Sequence, residues 1–244
     1  MIANSILLAK ARSHLTGVVG ETKRARAMRD YQAAYREFSV EKLEREVLQG
    51  SLADGLNACV ECCDRWASDN RVALEWIGRD ETRETVTFLE LRDASARFAN
   101  LLHSHGIGRG DTVAGLLPRI PELLIIVLGT WRVGAIYQPL FTAFGPAAIE
   151  HRVTAAGGSQ AKLIVTDAAN RPKLDEVPRC PPVLLADRGE AGSFARLLGT
   201  QPEKFAPVIL RGDDPFVTIF TSGTTCIAKW CTFRWRTTNG TGSD

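Results

Sequence analysis

A cluster of hydroxyl side chains around one glycine is the segment of this sequence best suited to chemistry. It consists of Thr221, Ser222, Gly223, Thr224 and Thr225, followed at a short distance by Lys229. Hydroxyl and backbone N–H groups donate hydrogen bonds to phosphate oxygens, and a lysine adds positive charge. The cluster directly follows the apolar run 216–220, which predicts a strand, and open α/β sheets bind ligands where their strands end. The segment therefore predicts a polyphosphate-binding loop, with a Ser/Thr-rich surface turn as the alternative.

Two nucleotide-binding motifs do not fit this sequence. If Lys229 belonged to a Walker A loop, Ala228 would occupy the place of its second glycine and Trp230 that of its magnesium-binding Ser/Thr. The Gly-rich run 106–110 ends a predicted helix and leads into a strand. A dinucleotide-binding loop needs the opposite order, from strand to helix, to direct amide groups at a pyrophosphate. We interpret run 106–110 as a helix C-cap and turn.

The cysteines indicate buried thiols rather than disulfides. The chain has six, at positions 59, 62, 63, 180, 226 and 231, and shows no secretory signal pattern. Reduced thiols are typical of the cytosol, so we expect a cytoplasmic protein. Positions 59, 62 and 63 form a C-x-x-C-C cluster, but no second ligand pair follows at a spacing that suits zinc. Core cysteines on one helix are the simpler interpretation, and a metal site at the cluster is the alternative.

The composition argues against a membrane-spanning chain and gives no reason to expect a polyanionic partner. The 244 residues are 45% hydrophobic and 24% charged, which is typical of a soluble globular protein that buries a core. Lys and Arg number 30 against 28 Asp and Glu, so the net charge of +2 creates no strong field toward nucleic acid or anionic lipid. The longest apolar run, 123–130, is far shorter than the roughly 20 residues that a spanning helix needs.

Alternating strand and helix patterns place the hydroxyl cluster on an α/β domain. Short apolar runs predict strands over 72–77, 112–117, 136–140, 163–166, 183–186 and 216–220. Helical patterns between them cover 88–104, 121–133, 146–156, 168–175 and 190–198. This alternation predicts a mainly parallel sheet flanked by helices. A charged helix over 25–48 and a helix with an apolar stripe from Leu52 to Trp66 precede the first strand.

The hydroxyl cluster and several other segments resemble the adenylate-forming (AMP-binding) superfamily. Residues 220–225 read F-T-S-G-T-T, which is similar to the phosphate-loop signature of that family. The segments that resemble acetyl-CoA synthetase and its acyl-CoA synthetase relatives, in matching order, are 57–60, 64–67, 86–91, 108–113, 117–122 and 137–146. The resemblance implies a truncated, partial N-terminal domain of an adenylate-forming enzyme over 51–225, preceded by a helical extension over 1–50.

The resemblance also implies a ligase that works in two steps. A short- or medium-chain carboxylate attacks the α-phosphate of ATP, taken with Mg²⁺, to give an acyl-adenylate and pyrophosphate, and coenzyme A then displaces AMP. The implied cofactors and partners are ATP, Mg²⁺, coenzyme A and a small carboxylate, with neither nucleic acid nor membrane. By position, the four hydroxyls of the cluster would donate to phosphate oxygens, Gly223 would permit the turn and Lys229 would supply charge.

The sequence departs from the family pattern after residue 225. Cys226, Ala228 and Trp230 stand where the family has Gly, Pro and Gly. Residues 226–244 contain two of the five Trp and two of the six Cys but no Leu, Val or Glu. We expect an aberrant, disordered tail there, produced by a one-base insertion after the codon of Lys229, because deleting one base restores a family-like Lys-Gly. Sequencing the genomic DNA through that codon tests this hypothesis.

A chain that stops at its phosphate loop is expected to be catalytically incomplete. The family elements that hold adenine, bind magnesium and supply a catalytic lysine would follow residue 225, so we expect negligible acyl-CoA synthetase activity from this polypeptide alone. A sheet ending at its loop strand would also expose an apolar edge. The competing interpretation is a non-catalytic α/β module that binds a nucleotide or a protein. Such a module would saturate with ATP, whereas a truncated ligase would bind ATP weakly or not at all.

Overall fold

Five parallel strands form the centre of the larger sheet. The computed structural model describes residues 31–154, 158–188, 194–220 and 230–234. The strands are β1 (Val72–Ile77), β2 (Arg83–Thr87), β3 (Thr112–Leu116), β4 (Ile136–Pro139), β5 (Leu163–Thr166), β6 (Val183–Leu185), β7 (Pro215–Phe220) and β8 (Trp230–Arg234). Strands β6, β5, β3, β4 and β7 lie side by side in that order and run parallel, and β8 pairs antiparallel with β7. The predicted mainly parallel α/β sheet is confirmed.

The described part of the chain contains eight α-helices and one 3₁₀ helix (Asp64–Asp69). The α-helices are α1 (Tyr31–Glu37), α2 (Val40–Val47), α3 (Ala58–Cys62), α4 (Phe88–Ser104), α5 (Pro121–Arg132), α6 (Pro146–Val153), α7 (Arg171–Asp175) and α8 (Phe194–Gly199). A capping box starts α4, because the Thr87 hydroxyl accepts from the N–H of Glu90 while the Glu90 carboxylate accepts from the N–H of Thr87. None of these helices is long and apolar enough to cross a bilayer.

Helices cover both faces of the sheet and bury its parallel strands. On one face α4, α5 and α8 pack together, and the rings of Phe98 and Phe194 lie fully buried with centroids 5.6 Å apart. On the other face α6 and α7 bury Ile149 and Leu174. Every residue of β3 is buried, as expected for a central strand covered on both sides. This layering confirms helices flanking the sheet.

The first strand does not join the parallel sheet. Strand β1, at its predicted bounds, pairs antiparallel with β2 in a separate two-stranded sheet. The sequence pattern did not predict β2, because its residues, R-E-T-V-T, include two charges and form no apolar run. An exposed two-stranded hairpin tolerates such a strand, since one face stays in water. The predicted helix from Leu52 to Trp66 is also shorter than expected, because α3 ends at Cys62 and continues as the 3₁₀ helix.

The chain divides into two compact units after Val47, close to the boundary predicted at residue 50. In the first unit the structure describes α1 and α2, where the sequence predicted one helix over 25–48. The helices are separate because the Ser39 hydroxyl accepts a hydrogen bond from the N–H of Lys42 at 3.1 Å and caps α2. The rings of Tyr31 and Tyr35 stack along α1 with centroids 6.1 Å apart.

A strand lies within the segment for which we expected disorder. The prediction of a disordered tail over 226–244 is wrong for Trp230–Arg234, which form β8 and pair with the whole length of β7. The expectation rested on missing Leu and Val, but W-C-T-F-R contains two aromatic residues and a threonine, which suit a strand equally well. The edge of β7 that a sheet ending there would expose is therefore occupied by β8.

Candidate functional site

The five parallel strands all end at one edge of the sheet, which we call the C-terminal edge. Its strand ends are held in register: the N–H of Leu140 donates to the carbonyl of Gly115 at 2.8 Å, and the Thr166 hydroxyl donates to the carbonyl of Leu116 at 2.9 Å. Strand β3 connects to β4 on one side, whereas β5 connects to β6 on the other. Open α/β sheets bind ligands where the connections diverge in this way.

The predicted phosphate-binding residues lie between two described strands but outside the described residues themselves. Thr221, Ser222, Gly223, Thr224, Thr225 and Lys229 belong to this segment. Phe220, the last residue of β7, pairs with Trp230, the first residue of β8. Because β7 runs parallel to β4, Phe220 lies at the C-terminal edge. The strands on both sides of the predicted loop are thus at the ligand-binding edge, and the roles of its six residues stay predictions.

Two aromatic rings and an arginine surround the end of β7. The guanidinium carbon of Arg152, in the last turn of α6, lies 4.1 Å from the ring centroid of Phe144 and 5.6 Å from that of Phe220. The ring of His151 meets that of Phe220 edge to face, with centroids 6.1 Å apart. The sequence does not predict this group, because α6 and β7 are distant in sequence and their contact depends on the strand order.

An open cavity of about 570 Å³ lies at the same edge. Its lining comes from the β1–β2 hairpin and from the segments after β3 and β4, and consists of Trp76, Ile77, Gly78, Arg79, Leu117, Pro118, Arg119, Ile120, Leu140, Phe141 and Thr142. Phe141 is 63% exposed, unusual for a large apolar side chain. Segments 117–122 and 137–146 are family-like in sequence, but the sequence contains no signal that the hairpin forms the third wall.

Arg188 joins the β1–β2 hairpin to the main sheet beside this cavity. Its guanidinium lies 4.6 Å from the ring centroid of Trp76 and forms ion pairs with Glu84 and, at 2.9 Å, with Glu122. Partial burial would lower the pKa of Arg188, but the two carboxylates outweigh it and raise that pKa. The Trp76 indole N–H also donates to the carbonyl of Arg119 at 2.8 Å. These contacts fix one cavity wall to the strand ends.

A second charged network lies at the opposite, N-terminal end of the strands. Arg132, the last residue of α5, is only 3% exposed, and its guanidinium donates to Asp64 at 2.6 Å and to Ser95 at 3.1 Å. A cavity of about 640 Å³ opens beside it, lined by Arg92, Asp93, Ala96, Arg132, Glu203, Lys204, Phe205 and Ala206. The Arg132 network links α3, α4 and α5, and so supports the layer that covers the sheet.

The cysteine cluster belongs to this network as buried thiols. Cys59 and Cys63 are almost completely buried, which confirms the prediction of core cysteines for these two, whereas Cys62 is exposed. Burial raises the pKa of both buried thiols, that of Cys63 to about 12, so they stay protonated at neutral pH. Within the described residues, no group of three His, Cys, Asp or Glu side chains could hold a metal ion.

The turn residues identified from the sequence are turns in the structure. Gly106 and Gly110 have φ angles of 71° and 82°, which glycine adopts without strain, so run 106–110 is a helix C-cap and turn. The Asp214 carboxylate accepts from the N–H of Arg211 at 2.7 Å and pairs with Arg109 at 2.5 Å. Asp214 therefore closes the turn before β7.

A family profile and several curated relatives match most of this chain. The profile of the family described as "AMP-binding enzyme" matches residues 63–237. The acetyl-coenzyme A synthetase of Sodalis glossinidius is 30% identical over an alignment of 209 residues, with 71% of this chain and 30% of that protein covered. That of Gemmatimonas aurantiaca is 34% identical over 198 residues, with 70% of this chain and 30% of that protein covered. The chain thus spans about 30% of the length of these curated relatives.

The fold is also found in solved structures. The crystal structure of Brucella canis acyl-CoA synthetase superposes with a TM-score of 0.76 at 47% identity, covering 84% of this chain and 38% of that one. ATP-bound MatB from Rhodopseudomonas palustris shares the fold, with a TM-score of 0.63 at 24% identity, covering 74% of this chain and 35% of that one. The family match continues to residue 237, past the limit at 225 that we expected, and includes β8. This chain belongs to the AMP-binding enzyme family.

Proposed function

We propose that this chain is the N-terminal part of an AMP-forming acyl-CoA synthetase that activates a short- or medium-chain carboxylate. The observation that carries this proposal is the position of β7: it ends at the C-terminal edge, beside the strand connections that diverge there, and leads into the hydroxyl cluster. The 47% identity to Brucella canis acyl-CoA synthetase supports a thioester-forming ligase in particular. Five described cysteines are free thiols, which supports a cytoplasmic location.

The proposed loop would act on ATP through charge and position. The hydroxyls of Thr221, Ser222, Thr224 and Thr225 would donate to oxygens of the β- and γ-phosphates, which become the pyrophosphate leaving group. Lys229 would offset the negative charge that grows on this leaving group. Because the loop would hold the β- and γ-phosphates in place, the α-phosphorus would stay in line with the attacking carboxylate. The hairpin supports this role, because the pairing of Phe220 with Trp230 holds both ends of the segment close together.

The metal and the thiol substrate are proposed at the level of the family. Mg²⁺ would neutralise phosphate charge when it is bound with ATP. No group of three His, Cys, Asp or Glu side chains that could hold a metal ion occurs among the described residues. We therefore assign no magnesium ligand in this chain and derive no step through the ion. Coenzyme A is proposed as the acyl acceptor because the curated relatives are acetyl-coenzyme A synthetases.

A chimera tests the proposed function. Residues 1–229 would be joined to the continuation of the Brucella canis enzyme and supplied with ATP, coenzyme A and a series of small carboxylates. We expect AMP and acyl-CoA as products, and about a ten- to hundredfold loss of rate in Lys229→Ala. Lys162→Ala is the matched control, because that lysine is half exposed and paired with Asp111 at the opposite end of β3. A Lys229→Ala chimera as active as the Lys162→Ala chimera would contradict the phosphate-loop assignment.

The chain alone separates the ligase from the alternative, a non-catalytic binding module. It covers only 38% of the Brucella canis enzyme, so we expect neither acyl-CoA formation from acetate or propionate nor tight binding of ATP. Calorimetric titration with ATP provides the comparison. Saturation at micromolar ATP without turnover would favour the binding module, and acyl-CoA formation by the purified chain would overturn the proposed inactivity.

A further inference from the structure

Arg152 is a preorganised cation at the end of β7. Its backbone carbonyl accepts hydrogen bonds from the N–H of Ser159 at 2.9 Å and from the side-chain amide of Gln138 at 3.2 Å. Gln138 lies on β4 and is fully buried, so the end of α6 is fixed to the sheet. The rings of Phe144 and Phe220 then restrict the guanidinium itself. A cation held in this way loses little conformational entropy when it binds a ligand.

Most of the hydrogen-bonding capacity of this guanidinium is unused. Of its five N–H donors, one nitrogen, Nη1, donates to the carbonyl of Ala148 at 2.8 Å. No carboxylate pairs with Arg152 anywhere in the described ranges. Burial lowers the pKa of the guanidinium.

Other arginines of the same structure show what a structural role looks like. Arg188 and Arg71 also lie over tryptophan rings, but each pairs with a carboxylate. Arg188 pairs with Glu84, and Arg71 pairs with Asp69. The buried Arg132 pairs with Asp64. A partly desolvated cation without a counter-ion is unfavourable in a folded protein unless an anion completes it. Arg152 differs from the others in this respect and lies at the edge where ligands bind.

We propose that Arg152 binds a phosphate group of the nucleotide, or the pyrophosphate that leaves it, beside the last residue of β7. This inference rests on the proposed function, because it takes the anion to be the polyphosphate of ATP. Guanidinium donors suit phosphate oxygens, with which they form charge-assisted and often bidentate hydrogen bonds. The guanidinium carbon lies near the rings of Phe144 and Phe220, and of the guanidinium nitrogens only Nη1 has a hydrogen-bond acceptor among the described residues.

The test is a titration of the 244-residue chain with sodium pyrophosphate, followed by NMR of the arginine side-chain Nε–H and backbone N–H groups. Ionic strength is kept constant with sodium chloride, so that general screening does not contribute. NMR detects millimolar binding, so a weak site still gives a result. We expect the Nε–H of Arg152, identified by its loss in Arg152→Met, to shift and saturate. We expect Arg152→Met to bind pyrophosphate about tenfold more weakly, and Arg152→Lys to retain part of the affinity.

Arg71→Met is the matched control, since it removes another arginine that lies over an aromatic ring, and its affinity should not change. If thermal unfolding shows that Arg152→Met does not fold, the inference is tested by the titrations of the unsubstituted chain and of Arg152→Lys. Shifts confined to the amides of residues 221–225 would overturn this inference and leave the proposed function standing. A shift of Arg152 without those amides would support the inference and contradict the phosphate loop. No saturable shift at millimolar pyrophosphate would overturn the inference.

Discussion

Two arginines at opposite ends of the sheet show how one side chain serves structure and another serves binding. Arg132 is buried and its charge is neutralised by Asp64, with Ser95 and Cys59 accepting further hydrogen bonds. Arg152 is half-buried, stacked on two rings, and has no carboxylate partner in the described ranges. Breaking a buried ion pair lowers the stability of the fold, whereas a partly buried cation without a partner is unfavourable until it binds an anion.

The difference follows the direction of the strands. Arg132 ends the helix that leads from β3 to β4 and so lies where the strands begin. Arg152 contacts Phe220 at the end of β7, where an α/β sheet offers its connections to ligands. The two ends can therefore be separated experimentally: substitutions at the first should change stability, and substitutions at the second should change affinity.

The largest effect is expected from Arg132→Met. The substitution leaves Asp64 partly buried without its partner and removes the hydrogen bonds that the Arg132 guanidinium donates to Ser95. Losing one member of a buried ion pair costs about 3–5 kcal/mol in the free energy of unfolding. Urea unfolding followed by circular dichroism measures it. The double variant Arg132→Met with Asp64→Leu should recover part of the loss, and a loss below about 1 kcal/mol in the single variant would contradict the structural role.

A smaller effect is expected from Gly129→Ala in the same layer. A Cβ atom at Gly129 would lie 2.7 Å from a ring carbon of Phe98 and 2.8 Å from the carbonyl oxygen of Ser95. Because one contact is backbone, α4 and α5 must separate, at a cost of about 1–3 kcal/mol. Gly108→Ala is the control, since nothing lies within 4 Å of its added Cβ. Equal urea midpoints for the two variants would show that the helices do not pack as closely as described.

The sequence was sufficient for elements whose patterns are local. Helix α4 has the bounds predicted from its helical pattern, which the Gly-rich run 106–110 ends, and the structure adds a capping box at its start. The parallel sheet followed from the alternation of strands and helices. Strand β2 was missed because two charged side chains break its pattern, and β8 was missed because its apolar residues are aromatic and cysteine rather than Leu or Val.

Only part of the candidate site could be predicted from the sequence. The hydroxyl cluster could be found because its residues are contiguous and follow a strand. The group of Arg152, Phe144 and Phe220 could not, since it depends on β7 lying beside β4, which brings together segments far apart in the chain. Arg132 was likewise read only as part of an apolar helix, because its neutralisation by Asp64 is a tertiary contact.

The buried thiols near Arg132 should make that end of the molecule sensitive to alkaline pH. Burial raises the pKa of Cys63 to about 12, whereas an unfolded thiol titrates near about 8.5. The Cys63 thiol therefore loses its proton at lower pH in the unfolded state than in the folded state. Its contribution to the free energy of unfolding is present below pH about 8.5 and declines above it, by about 1 kcal/mol per pH unit. Urea unfolding at pH 8 and pH 10 should show a steeper decline for the unsubstituted chain than for Cys63→Ala. Parallel declines would contradict the pKa shift.

The smallest effect on stability is expected from Arg152→Met, and its smallness is what distinguishes the two arginines. The substitution removes stacking on Phe144 and Phe220 and one hydrogen bond to Ala148, but it also removes a cation that burial disfavours. A cation–π contact at a partly exposed site contributes about 0.5–1 kcal/mol, so the free energy of unfolding should change by less than about 1 kcal/mol. Urea unfolding of Arg152→Met and Arg132→Met, in buffer without phosphate, measures this change.

With pyrophosphate added, the unsubstituted chain should gain stability that Arg152→Met does not, because only a folded site binds the anion. A loss as large as that of Arg132→Met, unchanged by pyrophosphate, would mean that both arginines hold the fold together and that the two ends of the sheet do not differ.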